Sequence, residues 1–202
     1  MKKIHFGPGG HWKNPDDNWI RIDRDKDRAE IVINFKDFEK LPLKDQSVSC
    51  VYGSHVFEHM PIFVTPLVFK ECYRVLINGG FFRLVLPDVI KSIKEFLNGN
   101  ENYHLFKLRR NRAKNSYNLD YTIFECLRED FLSVSESYNV RELGHQNAWD
   151  FETIKKDLNR AGFNDIQQMA FKKTNCPEFS FEGTYKATAN DSARSLYVEA
   201  KK

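Results

Sequence analysis

Between Leu41 and Asp88 the sequence sets out one ordered series of signals: Leu41-Pro42-Leu43, an apolar strand over residues 48–52, Ser54-His55-Val56-Phe57-Glu58-His59, a helix opening at Thr65-Pro66, Tyr73-Arg74-Val75-Leu76-Ile77-Asn78-Gly79-Gly80, and a second strand over 81–86 closed by Pro87-Asp88. A buried strand, an amphipathic helix, a glycine turn and another buried strand make a βαβ unit. Such units take ligands at the carboxyl ends of their strands. The sequence therefore points to a binding site near Ser54 and His55.

The rest of the chain extends the alternation. Short apolar runs at 4–6, 19–22 and 31–33 end in turns or acids, and two late runs, 166–171 and 196–200, complete a set of seven strands. Thr65 is expected as a cap with Pro66 at the first helical position, and Phe69, Cys72, Tyr73 and Leu76 form one apolar stripe. Asp88 is expected to cap a helix with Val89, Ile93, Phe96 and Leu97 inward. Asp150 is expected to cap another, with Phe151, Ile154, Leu158 and Ala161 on one face and Gly162 as its stop. The predicted fold is α/β: a doubly wound, Rossmann-like, mostly parallel seven-stranded sheet with one antiparallel strand near the C-terminus, in a single domain over 1–202. Residues 99–145 carry no strand signal and read as a helical insertion, or lid, over the strand ends.

With 202 residues, 41% of them hydrophobic, the chain can bury a core without disulfides or metal staples. Cys50, Cys72, Cys126 and Cys176 form no C-x-x-C pair, which suits reduced thiols in a cytoplasmic protein. The apolar stretch after Met1-Lys2-Lys3 ends at Gly7, too short for a signal-peptide core, and no apolar run is long enough to span a bilayer. A net charge of +3 gives no general pull toward nucleic acid or membrane.

The candidate chemistry sits in four places. A glycine turn at Gly7-Pro8-Gly9-Gly10 lets the backbone approach a ligand, and Asp23, ending the next strand, can accept both hydroxyls of a ribose. His11-Trp12-Lys13-Asn14-Pro15 does not continue as a helix under a pyrophosphate, which favours a nucleoside without phosphates. His55-Val56-Phe57-Glu58-His59 has the inverted zincin spacing. Zincin chemistry, however, needs a helix carrying all three groups, and this pentapeptide begins at a strand end. Glu58 and His59 are therefore expected to cap or brace the loop with no metal, and His55 to contact a cofactor or pack the loop. Arg109, Arg110 and their basic neighbours over 107–114 form either a solvated helix face or a site for an anionic substrate such as a nucleotide sugar or phosphorylated glycan. Phe106, Tyr117, Tyr121 and Phe124 nearby either stack on rings or pack the insertion, and nucleic acid is the lesser option. Finally, His145 titrates near neutral pH and can serve as general base, or as a hydrogen bond at a helix entry.

In this order the motifs resemble class I S-adenosylmethionine-dependent methyltransferases, particularly short bacterial and phage-type members found among glycan-biosynthesis genes. Ile4-His5-Phe6-Gly7-Pro8-Gly9 is similar to their first motif, Trp19-Ile20-Arg21-Ile22-Asp23 to the second, and Asp37-Phe38-Glu39-Lys40-Leu41-Pro42 to the adenine segment. Residues 54–59, 73–80, Gly144-His145, Trp149-Asp150-Phe151, Ala161-Gly162-Phe163 and 195–200 also match. The resemblance implies S-adenosylmethionine as cofactor. Phe6, Gly7 and Gly9 would lie beside its methionine portion, Asp23 on the ribose, Asp37 and the Phe38 backbone at the adenine, and Gly53, Ser54 and His55 at the sulfonium. It implies His145 and His55 as catalytic candidates and a small-molecule or glycan-precursor acceptor; it does not cover roughly 99–139, and Asp88 with Arg109 and Arg110 of the basic run are the candidate substrate contacts. The chain departs from the pattern at His5, His11 and Ser49. A non-catalytic nucleoside-binding module and a zinc hydrolase are the alternative functions.

Overall fold

The computed structural model describes residues 1–9, 16–132, 144–179 and 194–202. Seven strands form one sheet: β1 (Lys2–Phe6), β2 (Trp19–Asp23), β3 (Ile31–Val32), β4 (Val48–Ser54), β5 (Leu76–Pro87), β6 (Asp165–Met169) and β7 (Ser195–Lys201). Their order across the sheet is β3-β2-β1-β4-β5-β7-β6. Every pairing from β3 to β5 is parallel, while β7 runs antiparallel to both β5 and β6. The mostly parallel sheet with one reversed strand matches the sequence expectation.

Both faces of the central strands are buried, which is why 48–53 reads as a continuous buried run rather than an alternation. Adjacent residues point to opposite faces. Val51 thus joins a core with Ile4, Phe6, Phe82 and Leu84, whereas Cys50 and Tyr52 join a second core with Trp19, Val85, Phe179 and Tyr197. Helices α1 (Thr65–Val75) and α5 (Phe151–Ala161) cover the first face and contact each other. Phe57, Phe69 and Phe82 pack there with ring centroids 5.5–5.6 Å apart. On the second face Arg83 and Glu199 form a buried ion pair at 2.6 Å. Arg83 also donates to the Lys173 carbonyl, and Glu199 accepts the Asn175 N–H at 2.8 Å, so strands β5 and β7 hold the 173–175 segment.

Residues 89–132 form three helices: α2 (Val89–Leu97), α3 (His104–Tyr117) and α4 (Ile123–Leu132). Tyr103, Leu105, Phe106, Cys126 and Leu127 make a third core, flanked by Ile93, Phe96 and Tyr121. Phe106 and Tyr121 thus pack the insertion, while Tyr117 and Phe124 are exposed.

Four local expectations are corrected. Thr65 is the first helical residue rather than the cap; Val64 precedes it, and the Thr65 hydroxyl donates to the Pro61 carbonyl. Leu76 does not extend the α1 stripe, because the chain turns directly into β5 there. Leu97, expected inward, is 75% exposed because α2 turns Ile93 and Phe96 toward the insertion core. The late strand ends at Met169, two residues short of the expected 171. Gly10, His11 and the 12–15 stretch, with 133–143 of the insertion, lie outside the described residues. All four cysteines are buried and free, and no described helix is long and apolar enough to cross a membrane.

Candidate functional site

Because β1, β2, β4 and β5 are parallel, Gly7, Asp23, Ser54 and Asp88 come to one edge of the sheet. Gly7 has φ +60°, and its N–H donates to the Ile22 carbonyl at 2.9 Å. A Cβ at Gly7 would stand 2.6 Å from Val56, and one at Gly53 would stand 2.4 Å from Phe57, so both positions require the absence of a side chain. Gly9, in contrast, meets none of the described residues on its Cβ side. Asp23 is half-buried, with Oδ1 accepting the Asp25 N–H at 3.1 Å. Asp37 is exposed at the end of a short 3-10 turn, with Asn34 donating to its Oδ2 at 2.6 Å. Phe38 is buried in the main core.

These residues fit a nucleoside-bearing cofactor. An open glycine loop, a carboxylate at the end of β2 and an orphaned hydroxyl converge on one edge: Ser54 Oγ is buried and has no hydrogen-bond partner among the described residues. His55 turns the chain at this edge with φ 49°, a left-handed conformation that strains a non-glycine residue by roughly 1–3 kcal/mol. Its N–H donates to the Val85 carbonyl at 2.9 Å, Nε2 lies 3.0 Å from Ser195 Oγ, and Nδ1 lies 3.3 Å from Glu58 Oε1.

Phe57–His59 is a single 3-10 turn, so the zincin spacing does not lie on an α-helix. Glu58 is wholly buried in that turn. Its backbone carbonyl accepts the N–H groups of Gln146 (2.7 Å) and Asn147 (3.1 Å), while the Asn147 side chain donates to the Met60 carbonyl and Thr65 Oγ1. These bonds pin the segment before α5 against the turn and set His145 beside His59, with ring centroids 4.8 Å apart. His145 Nδ1 lies 2.6 Å from the Asp130 carbonyl. A carbonyl only accepts, so Nδ1 carries the proton and Nε2 the lone pair. Burial pushes the His145 pKa below the usual imidazole value despite the nearby Glu58 charge. For Glu58, burial alone would raise the pKa, but the hydrogen bond from His55 and the surrounding imidazoles hold it below the usual value.

The expected substrate contacts are placed differently. Arg109 donates to the Cys126 carbonyl and to Asp130 Oδ1, both at 2.6 Å, and Arg110 donates to the Tyr121 carbonyl at 3.0 Å and to Glu101. Arg112 pairs with Glu129 and Lys114 with Asp120. Much of the basic run therefore clamps α3 to α4. Asp88 caps α2, accepting the Lys91 N–H at 3.0 Å. Sequence reasoning gave Asp130 and Ser195 no role at the site; neither carries a local signal, because each meets its partner only through the fold.

Residues 14–84 match the family described as a methyltransferase domain. Among solved structures, the chain is similar to a SAM-dependent methyltransferase from Methanosarcina mazei, with a TM-score of 0.53, 12% identity and coverage of 100% of this chain and 92% of that one. It is also similar to one from Archaeoglobus fulgidus, with a TM-score of 0.52, 14% identity and coverage of 100% and 86%. No curated protein matches the chain. The fold is that of S-adenosylmethionine-dependent methyltransferases, and a methyltransferase domain on this fold takes S-adenosylmethionine as its cofactor.

Proposed function

We propose that the protein transfers the methyl group of S-adenosylmethionine to a small-molecule or glycan-precursor acceptor. The observation that carries this reading is the convergence, at one edge of the parallel strands, of the Gly7–Gly9 loop, Asp23 and the orphaned Ser54 hydroxyl, directly beside His55 and the Glu58 turn. Phe6, Gly7 and Gly9 border the methionine portion, Asp23 accepts from the ribose, Asp37 and the Phe38 backbone meet the adenine, and Gly53, Ser54 and His55 line the reactive end. The cofactor supplies an activated methyl on a sulfonium. The protein's main task is to hold the acceptor atom in line with it.

His145 is the proton acceptor in this reading. Its Nδ1 is held by the Asp130 carbonyl, its Nε2 carries the lone pair, and its depressed pKa keeps it neutral at physiological pH. The buried Glu58 carboxylate stabilises the imidazolium that forms, and His55 is a second candidate on the other side of the same carboxylate. Arg109 and Arg110 brace the insertion, and Asp88 fixes the start of α2 beside the acceptor side. The glycan class of acceptor rests on the motif resemblance. Four buried free thiols support a reducing, cytoplasmic setting.

Calorimetric titration with S-adenosylhomocysteine tests the cofactor site. Asp23→Ala removes one or two hydrogen bonds to a charged acceptor, of roughly 1.5–3 kcal/mol each, and is expected to weaken binding at least about tenfold. Unchanged affinity in the folded variant refutes the site. Tight binding with no methyl transfer to any acceptor in a mass-spectrometric screen would instead assign a nucleoside-binding module.

A further inference from the structure

Of the three groups that the fold gathers around the Phe57–His59 turn, Glu58 and His59 belong to the sequence pentapeptide, and His145 stands in place of His55. Glu58, His59 and His145 bring one ligand atom each within 4.8 Å of one another, and Glu58 Oε1 lies 4.0 Å from His59 Nε2. We propose that Glu58, His59 and His145 form a binding site for a divalent cation of the zinc type.

Two observations beyond proximity support this. Glu58 is wholly buried, and its Oε2 faces no hydrogen-bond donor among the described residues, a costly arrangement for a carboxylate unless a positive charge meets it. His145 donates its Nδ1–H to a backbone carbonyl, the outer-shell bond that fixes the tautomer of a metal-bound imidazole and leaves Nε2 with its lone pair. His55 does not complete the set: the nitrogen it turns to Glu58, Nδ1, carries the proton of their hydrogen bond, and its Nε2 lies against Ser195 Oγ. Ligand atoms around a tetrahedral zinc ion with bonds of about 2.0–2.1 Å stand roughly 3.4 Å apart, so the side chains need to close by little more than an ångström.

A carboxylate and two imidazoles form a donor set that zinc-type ions favour over calcium or magnesium, and three protein ligands leave a position open. In the methyl-transfer reading, a cation there would take an acceptor hydroxyl at the open position, and the proton of that hydroxyl would pass to solvent as the oxygen is acidified. This role rests on the methyl-transfer reading; cation binding itself does not. Because the cation and a proton would compete for the same Nε2 lone pair, metal binding and general-base action are alternative uses of His145.

The test is direct. Protein stripped with a chelator is titrated with Zn²⁺ by calorimetry and with Co²⁺ by visible absorption, with folding followed by circular dichroism and S-adenosylhomocysteine affinity measured on the same samples. We expect one ion per chain, tetrahedral-type cobalt bands, and a loss of at least about tenfold in affinity for each of Glu58→Gln, His59→Ala and His145→Ala, with His145→Gln as a second variant should the alanine fail to fold. His55→Ala should stay within about threefold of the parent. Absence of binding to folded protein overturns the proposal, as does binding indifferent to His145. An equal loss in His55→Ala also overturns it in favour of the pentapeptide. Metal binding without S-adenosylhomocysteine binding leaves this site standing and removes the methyl-transfer reading.

Discussion

The backbone carbonyl of Asp130 meets Nδ1 of His145 at 2.6 Å across 15 residues of sequence, and the side chain of the same Asp130 holds Arg109. One residue of α4 therefore serves two structures at once. Its main chain orients the imidazole, and its carboxylate anchors α3. Arg109→Ala leaves the buried Asp130 carboxylate uncompensated and is expected to cost about 3 kcal/mol in denaturant unfolding. It should also loosen His145, so turnover falls while S-adenosylhomocysteine affinity changes less than threefold or so. A stability within about 0.5 kcal/mol of the parent would show that the clamp carries no weight.

The pH dependence of turnover in metal-stripped protein has a definite sign. Neutral His145 is the active form, so the rate rises with pH through its pKa, and burial places that limb below the usual imidazole value. The Glu58 charge opposes this shift. Glu58→Gln should therefore move the limb to still lower pH. A move to higher pH would contradict the electrostatic link between the two residues.

Acid stability should report on His5. Burial beside Tyr52 pushes its imidazole down to about 3. Below the unfolded-state pKa of about 6.5 the unfolded chain takes up a proton that the folded chain refuses. The stability contribution is thus present above that pH and falls by about 1.4 kcal/mol per unit as pH drops toward 3. His5→Gln should flatten this part of the stability curve, measured by urea unfolding from pH 7 to 4. An unaltered slope would assign the acid sensitivity to other groups.

Gly7→Ala should combine a strained positive φ with a contact at 2.6 Å to Val56. We expect a loss of about 1–3 kcal/mol of stability and weaker S-adenosylhomocysteine binding. Adding Val56→Ala relieves the contact but not the backbone strain, so rescue should be partial. Full rescue would mean that the left-handed conformation is unimportant.

The sheet was legible because its strands are buried on both faces and read as apolar runs bounded by turns: 48–52, 81–86 and 196–200 all fall inside β4, β5 and β7. The caps of α2 and α5 were legible because Asp88 and Asp150 act on N–H groups three residues away. The histidine cluster was only half legible. His59 and Glu58 are adjacent in sequence, but His145 joins them through bonds from Gln146 and Asn147 to the Glu58 carbonyl, a relation with no local signature. The arginines of α3 were ambiguous for a similar reason. A basic run reads the same whether its partners are ligands or, as with Glu129 and Asp130, acids on the next helix.

The insertion owns a hydrophobic nucleus, built on Tyr103, Phe106, Cys126 and Leu127 and separate from the two cores that clasp the sheet. A unit that folds around its own nucleus can be traded between relatives as a cassette. Its described tether to the histidine cluster is a main-chain carbonyl, which any residue at position 130 supplies. In the proposed reading, exchange of these helices would change the acceptor side and leave the strand-end residues where they are.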